Sequence, residues 1–220
     1  MDATQQRWDA VDDWIERHLV PEDTFLTGAL AASADAGLPA IQVSPAQGRM
    51  LELLVRMTNA RFVLEVGTLG GYSTIWLARG LPTDGRVVTL ELDLRHAEVA
   101  RGNLAAAGLS DKVEVRVGAA SALLGDLQGQ FDLVFIDADK ASTPEYFSHA
   151  LRLSHPGTII VVDNVVRGGA VVDDPGDDVD VAGIRRFVEL VGLEPRVRST
   201  AIQTVGRKGY DGFAVLLVGE

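Results

Sequence analysis

The stretch VFIDADKAST, Val134 to Thr143, places two aspartates and a lysine at the end of an apolar run. Carboxylates hold cations or accept hydrogen bonds, and a lysine takes up a proton where its neutral form is favoured. A second set closes another apolar run in VVDN, where Asp163 and Asn164 stand side by side. If the two runs are neighbouring parallel strands, their carboxyl ends bring Asp137, Asp163 and Asn164 together. Two carboxylates and an amide suit a hard cation such as Mg²⁺, with the remaining positions left to water or substrate oxygens. VVDN is also the composition of a plain Asx turn, and Lys140 could equally form a surface ion pair with Asp137 or Asp139.

A glycine-rich turn, VLEVGTLGGYST, lies upstream, with Gly67, Gly70 and Gly71 where a backbone turns sharply and lets a ligand approach. A tight turn in any α/β protein has the same look. Glu65 stands where a dinucleotide fingerprint has glycine, and its carboxylate would repel a pyrophosphate but suits an ammonium group. No Lys-Ser or Lys-Thr pair follows the glycines, which argues against a P-loop. Glu91 comes 24 residues after Gly67, near the spacing at which an acid binds ribose hydroxyls, although a solvated strand end would read the same. A carboxylate for an amine, open glycines and an acid for a ribose outline S-adenosylmethionine, an amino acid joined to a nucleoside without phosphates.

The elements that must position these residues follow from hydrophobic periodicity. Strands are predicted over Phe62 to Val66, Val87 to Leu92, Val113 to Val117, Phe131 to Ile136 and Thr158 to Val162. Helical patterns lie between them around Ser73 to Arg79, Leu94 to Ala107, Ser121 to Leu127 and Pro144 to Leu153, so the core is an α/β fold with a parallel sheet covered on both faces. After a helix near Val181 to Val191, PRVRSTAIQTV and GFAVLLVG are joined by GRKGYDG, too short for a helical crossover, which predicts an antiparallel C-terminal hairpin. Three helices precede the sheet. One carries Trp8, Val11, Ile15 and Leu19 on one face, with Trp8 and Trp14 expected in helix packing; the next starts behind Pro21 with Glu22 and Asp23; the third has Ser44 as N-cap and Pro45 at its first position. We read residues 1–59 as helices that contribute to the acceptor site and to a possible dimer contact, and residues 60–220 as the cofactor-binding α/β core of one domain.

Composition narrows the partners. A formal charge of −11 and a pI near 4.8 argue against general binding to nucleic acid or an anionic membrane, which needs basic patches. With no cysteine, disulfides, zinc-thiolate sites and cysteine nucleophiles are excluded. No secretory segment opens the chain and no apolar run approaches a membrane span, so the expected location is cytoplasmic. Asp173, Asp174, Asp177, Asp178 and Asp180, with Pro175 and Gly176 among them, predict an exposed loop that is either a mobile lid or a solvated excursion. His18, His96, His149 and His155 fall outside these motifs and read as surface or structural.

EVGTLGGYST, FIDADK and VVDNVVRGG, in that order and at these separations, resemble the metal-dependent O-methyltransferases related to catechol and caffeoyl-CoA O-methyltransferases. The resemblance runs from about Val43 to the C-terminus. It implies a Rossmann-like sheet of seven strands, mostly parallel with a reversed last strand, in agreement with the hairpin above. It implies that Val43, Glu65, Gly67, Ser73, Glu91, Ala120, Asp139 and Tyr146 hold S-adenosyl-L-methionine, with Ala120 near the adenine. It further implies a divalent cation on Asp137, Asp163 and Asn164, Lys140 as general base beside a catalytic Asp137, and a homodimer.

The expected reaction is methyl transfer to a hydroxyl of a small catechol-like or other phenolic acceptor chelated to the metal. A caffeoyl-CoA-type acceptor and a hydroxylated tRNA uridine are the alternatives. A nicotinamide-dependent oxidoreductase would share the glycine turn and ribose acid but leaves Glu65 and the metal set unexplained, and a non-catalytic binding protein would not need so complete a site.

Overall fold

The structure is a computed structural model that describes residues 3–20 and 23–220. Three helices lead: α1 (Ala3–Leu19), α2 (Thr24–Asp35) and α3 (Pro45–Met57). Asp23 caps α2 by accepting from Phe25 N and Leu26 N, while the expected contributions of Pro21 and Glu22 lie outside the described residues. Ser44 caps α3 by accepting from Gln47 N at 3.2 Å, with Pro45 in the first turn, where its missing N–H costs nothing.

Strand and helix then alternate: β1 (Phe62–Val66), α4 (Tyr72–Gly80), β2 (Arg86–Glu91), α5 (Leu94–Ala106), β3 (Val113–Val117), α6 (Ala120–Asp126), β4 (Phe131–Ile136), α7 (Thr143–Arg152) and β5 (Ser154–Asp163). A 3-10 turn over Arg167–Val172 and α8 (Val179–Leu193) lead to β6 (Val197–Gly206) and β7 (Gly209–Val218). The sheet order is β3-β2-β1-β4-β5-β7-β6, with β7 antiparallel to both neighbours, as the hairpin predicted. The turn is tighter than the GRKGYDG segment suggested, because Gly206 pairs with Gly209 and only Arg207 and Lys208 form the tip.

Residues of the central strands point alternately to two cores. Leu64, Val134 and Ile136 pack with α7 and α8, where Phe147 and Phe187 meet edge to face at 5.6 Å. Val63, Leu133 and Phe135 pack on the other side with Leu51, Ile75 and Leu77. The first helix departs from expectation: α1 has no buried residue, Trp14 is 59% exposed and its ring lies 4.9 Å from His18 instead of in a core. Periodicity marks which face of a helix is apolar, but not what covers it. No helix among the described residues is long and apolar enough to cross a membrane.

Strand order reverses between β1 and β4, since β1 continues to β2 on one side and β4 continues to β5 on the other. Ligands of open α/β sheets bind at the carboxyl ends of the strands flanking such a point. Both predicted motifs, after β1 and after β4, end there.

Candidate active site

The two motifs interlock. Asp137 N donates to Val66 O at 2.8 Å, and Gly67 N donates to Leu90 O at 3.0 Å, joining the ends of β4, β1 and β2. Gly67 has φ +100°, and a Cβ there would lie 2.0 Å from Asp137 O, so only glycine lets the two turns meet.

A cavity of about 740 Å³ opens over this junction. Its walls include Val43, Gly67, Ser73, Glu91, Ala120, Asp139 and Tyr146, along with Asp137, Lys140 and Asn164. Of the expected cofactor residues only Glu65 stands off the wall. It is fully buried, its Oε2 accepts from Thr74 Oγ1 at 2.5 Å and Thr89 Oγ1 at 2.6 Å, and burial pushes its carboxyl up to about 7. Its Oε1 has no hydrogen-bond partner among the described residues, an orphaned acceptor that an ammonium donor would satisfy. Glu91 is occupied differently: Oε2 accepts from Leu69 N at 2.7 Å and Thr68 N at 3.2 Å, Oε1 accepts from Asp93 N at 3.0 Å, and His96 Nδ1 stands 3.4 Å away. His96 also lines the cavity, so it belongs with the site and not with the solvated surface. Asp139 accepts from Tyr146 Oη at 2.5 Å and Ser142 N at 2.9 Å; burial comes first and pushes the other way, but these donors hold its carboxyl below the usual range.

A second cavity of about 510 Å³ adjoins the first, sharing Ile41, Gln42, Val43, Asn164 and Arg167 with it. Asp163 forms part of its floor. Burial first, then the negative charge of Asp137, pushes the Asp163 carboxyl up to about 7, against the pull of Lys140 and a hydrogen bond from Gln47. Lys140 is buried, and its Nζ donates to Asp137 Oδ1 at 2.8 Å. Among the described residues no group of three or more His, Asp or Glu side chains is gathered closely enough to hold a metal ion, so a candidate set must include the Asn164 amide with Asp137 and Asp163. Those donors fit a hard divalent cation: all are oxygens, and the mutual repulsion of the two acids is the field that a cation relieves. Asn164 has φ +60°, in the left-handed region that asparagine tolerates, and its N donates to Asp163 Oδ1 at 2.9 Å.

Several residues of this region carried no sequence signal. Gln47 comes from α3 and Lys208 from the hairpin tip, where its Nζ donates to Ala40 O at 3.0 Å. Partial burial lowers the Lys208 pKa, while Asp137 and Asp163 pull it the other way. Asp211 Oδ1 accepts from Val166 N, Arg167 N and Gly212 N, pinning the loop behind Asn164. The acidic loop is exposed at Asp173, Asp174, Asp177 and Asp178, but Asp180 is half-buried and pairs with Arg167 at 3.3 Å beside the first cavity.

A seven-stranded sheet with a reversed β7, a glycine turn against an acid-bearing loop and two joined cavities at the switch point define the methyltransferase class of α/β folds. Residues 18–213 match the O-methyltransferase family, to which the chain belongs. It is 54% identical over 209 residues to a catechol O-methyltransferase of Mycobacterium tuberculosis, an alignment covering 94% of each chain. Among solved structures it resembles the O-methyltransferase from Bacillus cereus in complex with SAH, at 54% identity and a TM-score of 0.95, covering 97% of this chain and 99% of that one. It likewise resembles TomG from Streptomyces achromogenes, involved in tomaymycin synthesis and solved in complex with SAM, at 49% identity and a TM-score of 0.95, covering 100% of both chains.

Proposed function

We propose that this chain transfers the methyl group of S-adenosylmethionine to one hydroxyl of a small catechol-like acceptor held on a divalent cation, Mg²⁺ by the hardness of the donors. The observation that carries this reading is the cluster of Asp137, Lys140, Asp163 and Asn164 at the seam of two adjoining cavities, one with the residues expected to hold a nucleoside and one open for an acceptor. Gly67, Ser73, Ala120, Asp139 and Tyr146 surround the donor, Glu91 and His96 face its ribose, and the free Oε1 of Glu65 receives its ammonium.

When bound, the donor would supply an electrophilic sulfonium methyl, and a cation held by Asp137, Asp163 and Asn164 would lower the pKa of the acceptor hydroxyl. A cation on Asp137 would favour the neutral amine of Lys140, whose Nζ would then take the hydroxyl proton, and Asp137 Oδ1, 2.8 Å away, would stabilise the ammonium formed. The acceptor oxygen then forms its bond to the methyl carbon as the carbon–sulfur bond breaks in line. The site's contribution at that moment is positioning and exclusion of water, because a positive donor and a negative acceptor lose their charges together.

A methyl-transfer screen over catechols, caffeoyl esters and hydroxylated natural-product scaffolds, with and without EDTA, tests the reading. Activity on a vicinal diol that EDTA abolishes is the expected result. Undiminished activity after complete metal removal overturns it.

A further inference from the structure

The second cavity carries charges whose partners decide what it can recognise. Asp211 is taken up by three backbone N–H groups, Arg207 by Asp13 and Glu16, and Arg167 by Asp180. Asp12 accepts from Arg207 N at 2.7 Å, which fixes α1 against the hairpin tip, as does Gln5 Nε2 donating to Gly206 O at 2.9 Å. Lys208 differs from the other cations of this wall. Among the described residues it forms no ion pair, and its one hydrogen bond goes to the carbonyl of Ala40. An ammonium has three donors, so two remain for a ligand. Lys208 reaches from the hairpin tip to the 40–43 segment across the rim of the cavity that has Asp163 and Asn164 in its wall.

We propose that Lys208 is a specificity-determining residue that receives an anionic substituent, a carboxylate, on the ring whose hydroxyls occupy the Asp163 and Asn164 end. This rests on the reading of the acceptor as a chelated vicinal diol. The preferred acceptors are accordingly carboxylated catechols, and neutral ones of the same ring are poorer substrates through KM. An amine at that position would meet the Lys208 ammonium, which forms no ion pair among the described residues, so cationic catechols are disfavoured.

The test compares 3,4-dihydroxybenzoate with its methyl ester, which keeps the diol and removes the charge. With wild-type enzyme, kcat/KM is expected to favour the acid by about 10-fold, corresponding to about 1.4 kcal/mol, and the KM of the acid alone should rise with ionic strength. In Lys208→Met the acid-to-ester ratio should fall to near 1, and Lys208→Arg should restore part of it. A residue that merely ties the hairpin to Ala40 would change acid and ester alike, so an unchanged ratio in Lys208→Met overturns the proposal. The salt dependence, measured on wild type, decides the matter even if the variant fails to fold. Equal use of acid and ester by wild type, with no salt effect on either, overturns the proposal and leaves the diol reading intact; no methylation of either compound overturns both.

Discussion

Lys140 Nζ donates to Asp137 Oδ1 at 2.8 Å, in a pair only three residues long that joins the acceptor seam to the loop after β4. The lysine is buried, and its backbone is held from behind: a Cβ on Gly183 of α8 would lie 2.3 Å from Lys140 O. A surface ion pair would need neither the burial nor that support.

Lys140→Met should therefore lower kcat by about 10²- to 10⁴-fold, the range for loss of a general base, while leaving donor binding near wild type. Single-turnover methyl transfer together with calorimetric titration of S-adenosylmethionine separates the two. Full activity would return Lys140 to a structural role.

Gly183→Ala forces the backbone to shift, because its Cβ would lie 2.3 Å from Lys140 O and 2.7 Å from Ala141 Cα. The expected result is a stability loss of about 1–3 kcal/mol from overpacking, accompanied by a fall in kcat that exceeds any change in donor affinity. Denaturant titration and steady-state kinetics on the same preparation measure both.

Divalent cation should raise the melting temperature of the wild-type protein, since it offsets the burial and the Asp137 charge that together push Asp163 up to about 7. In Asp163→Asn that shift should disappear, with metal affinity falling by more than the roughly 10- to 100-fold that loss of an outer hydrogen-bond partner costs. Thermal melts across a Mg²⁺ titration, read without any acceptor present, decide it.

Glu65 gives a pH prediction for cofactor-free protein. Its folded pKa of about 7 exceeds the ordinary 4.5, so between those values the folded state binds more protons than the unfolded one and stability falls as pH rises. Glu65→Gln should then be more stable than wild type at pH 8, by at most on the order of 3 kcal/mol, and the difference should vanish near pH 4. The same variant should bind S-adenosylmethionine more weakly. Melting curves at both pH values, with a donor titration at pH 8, test the two effects separately.

Much of this site was legible because its residues sit at the ends of locally patterned elements. The short apolar runs before Gly67, Asp137 and Asp163 mark strands buried on both faces, and a parallel sheet gathers strand ends of one polarity on one edge. The strand bounds Phe62–Val66, Val113–Val117 and Phe131–Ile136 match the short apolar and β-branched runs of the sequence. Less visible was the 3-10 turn at Arg167–Val172, where Gly168 and Gly169 adopt positive φ between β5 and the acidic loop. His96 looked unremarkable because its tie to Glu91 depends on the cap of α5 turning it back over the β2 end.

The order of strands and helices, the glycine turn and the acid-bearing strand ends belong to the sequence itself, since backbone periodicity and φ preference act over a few residues at a time. Tertiary structure decided the rest. It buried Glu65 behind the cavity wall, left Trp14 on an uncovered face of α1, and brought Gln47 and Lys208 to one rim from positions 161 residues apart. The physical reason is closure: a side chain's surroundings are set by which strands pair and where the hairpin tip lands, and no local propensity encodes a contact between distant segments.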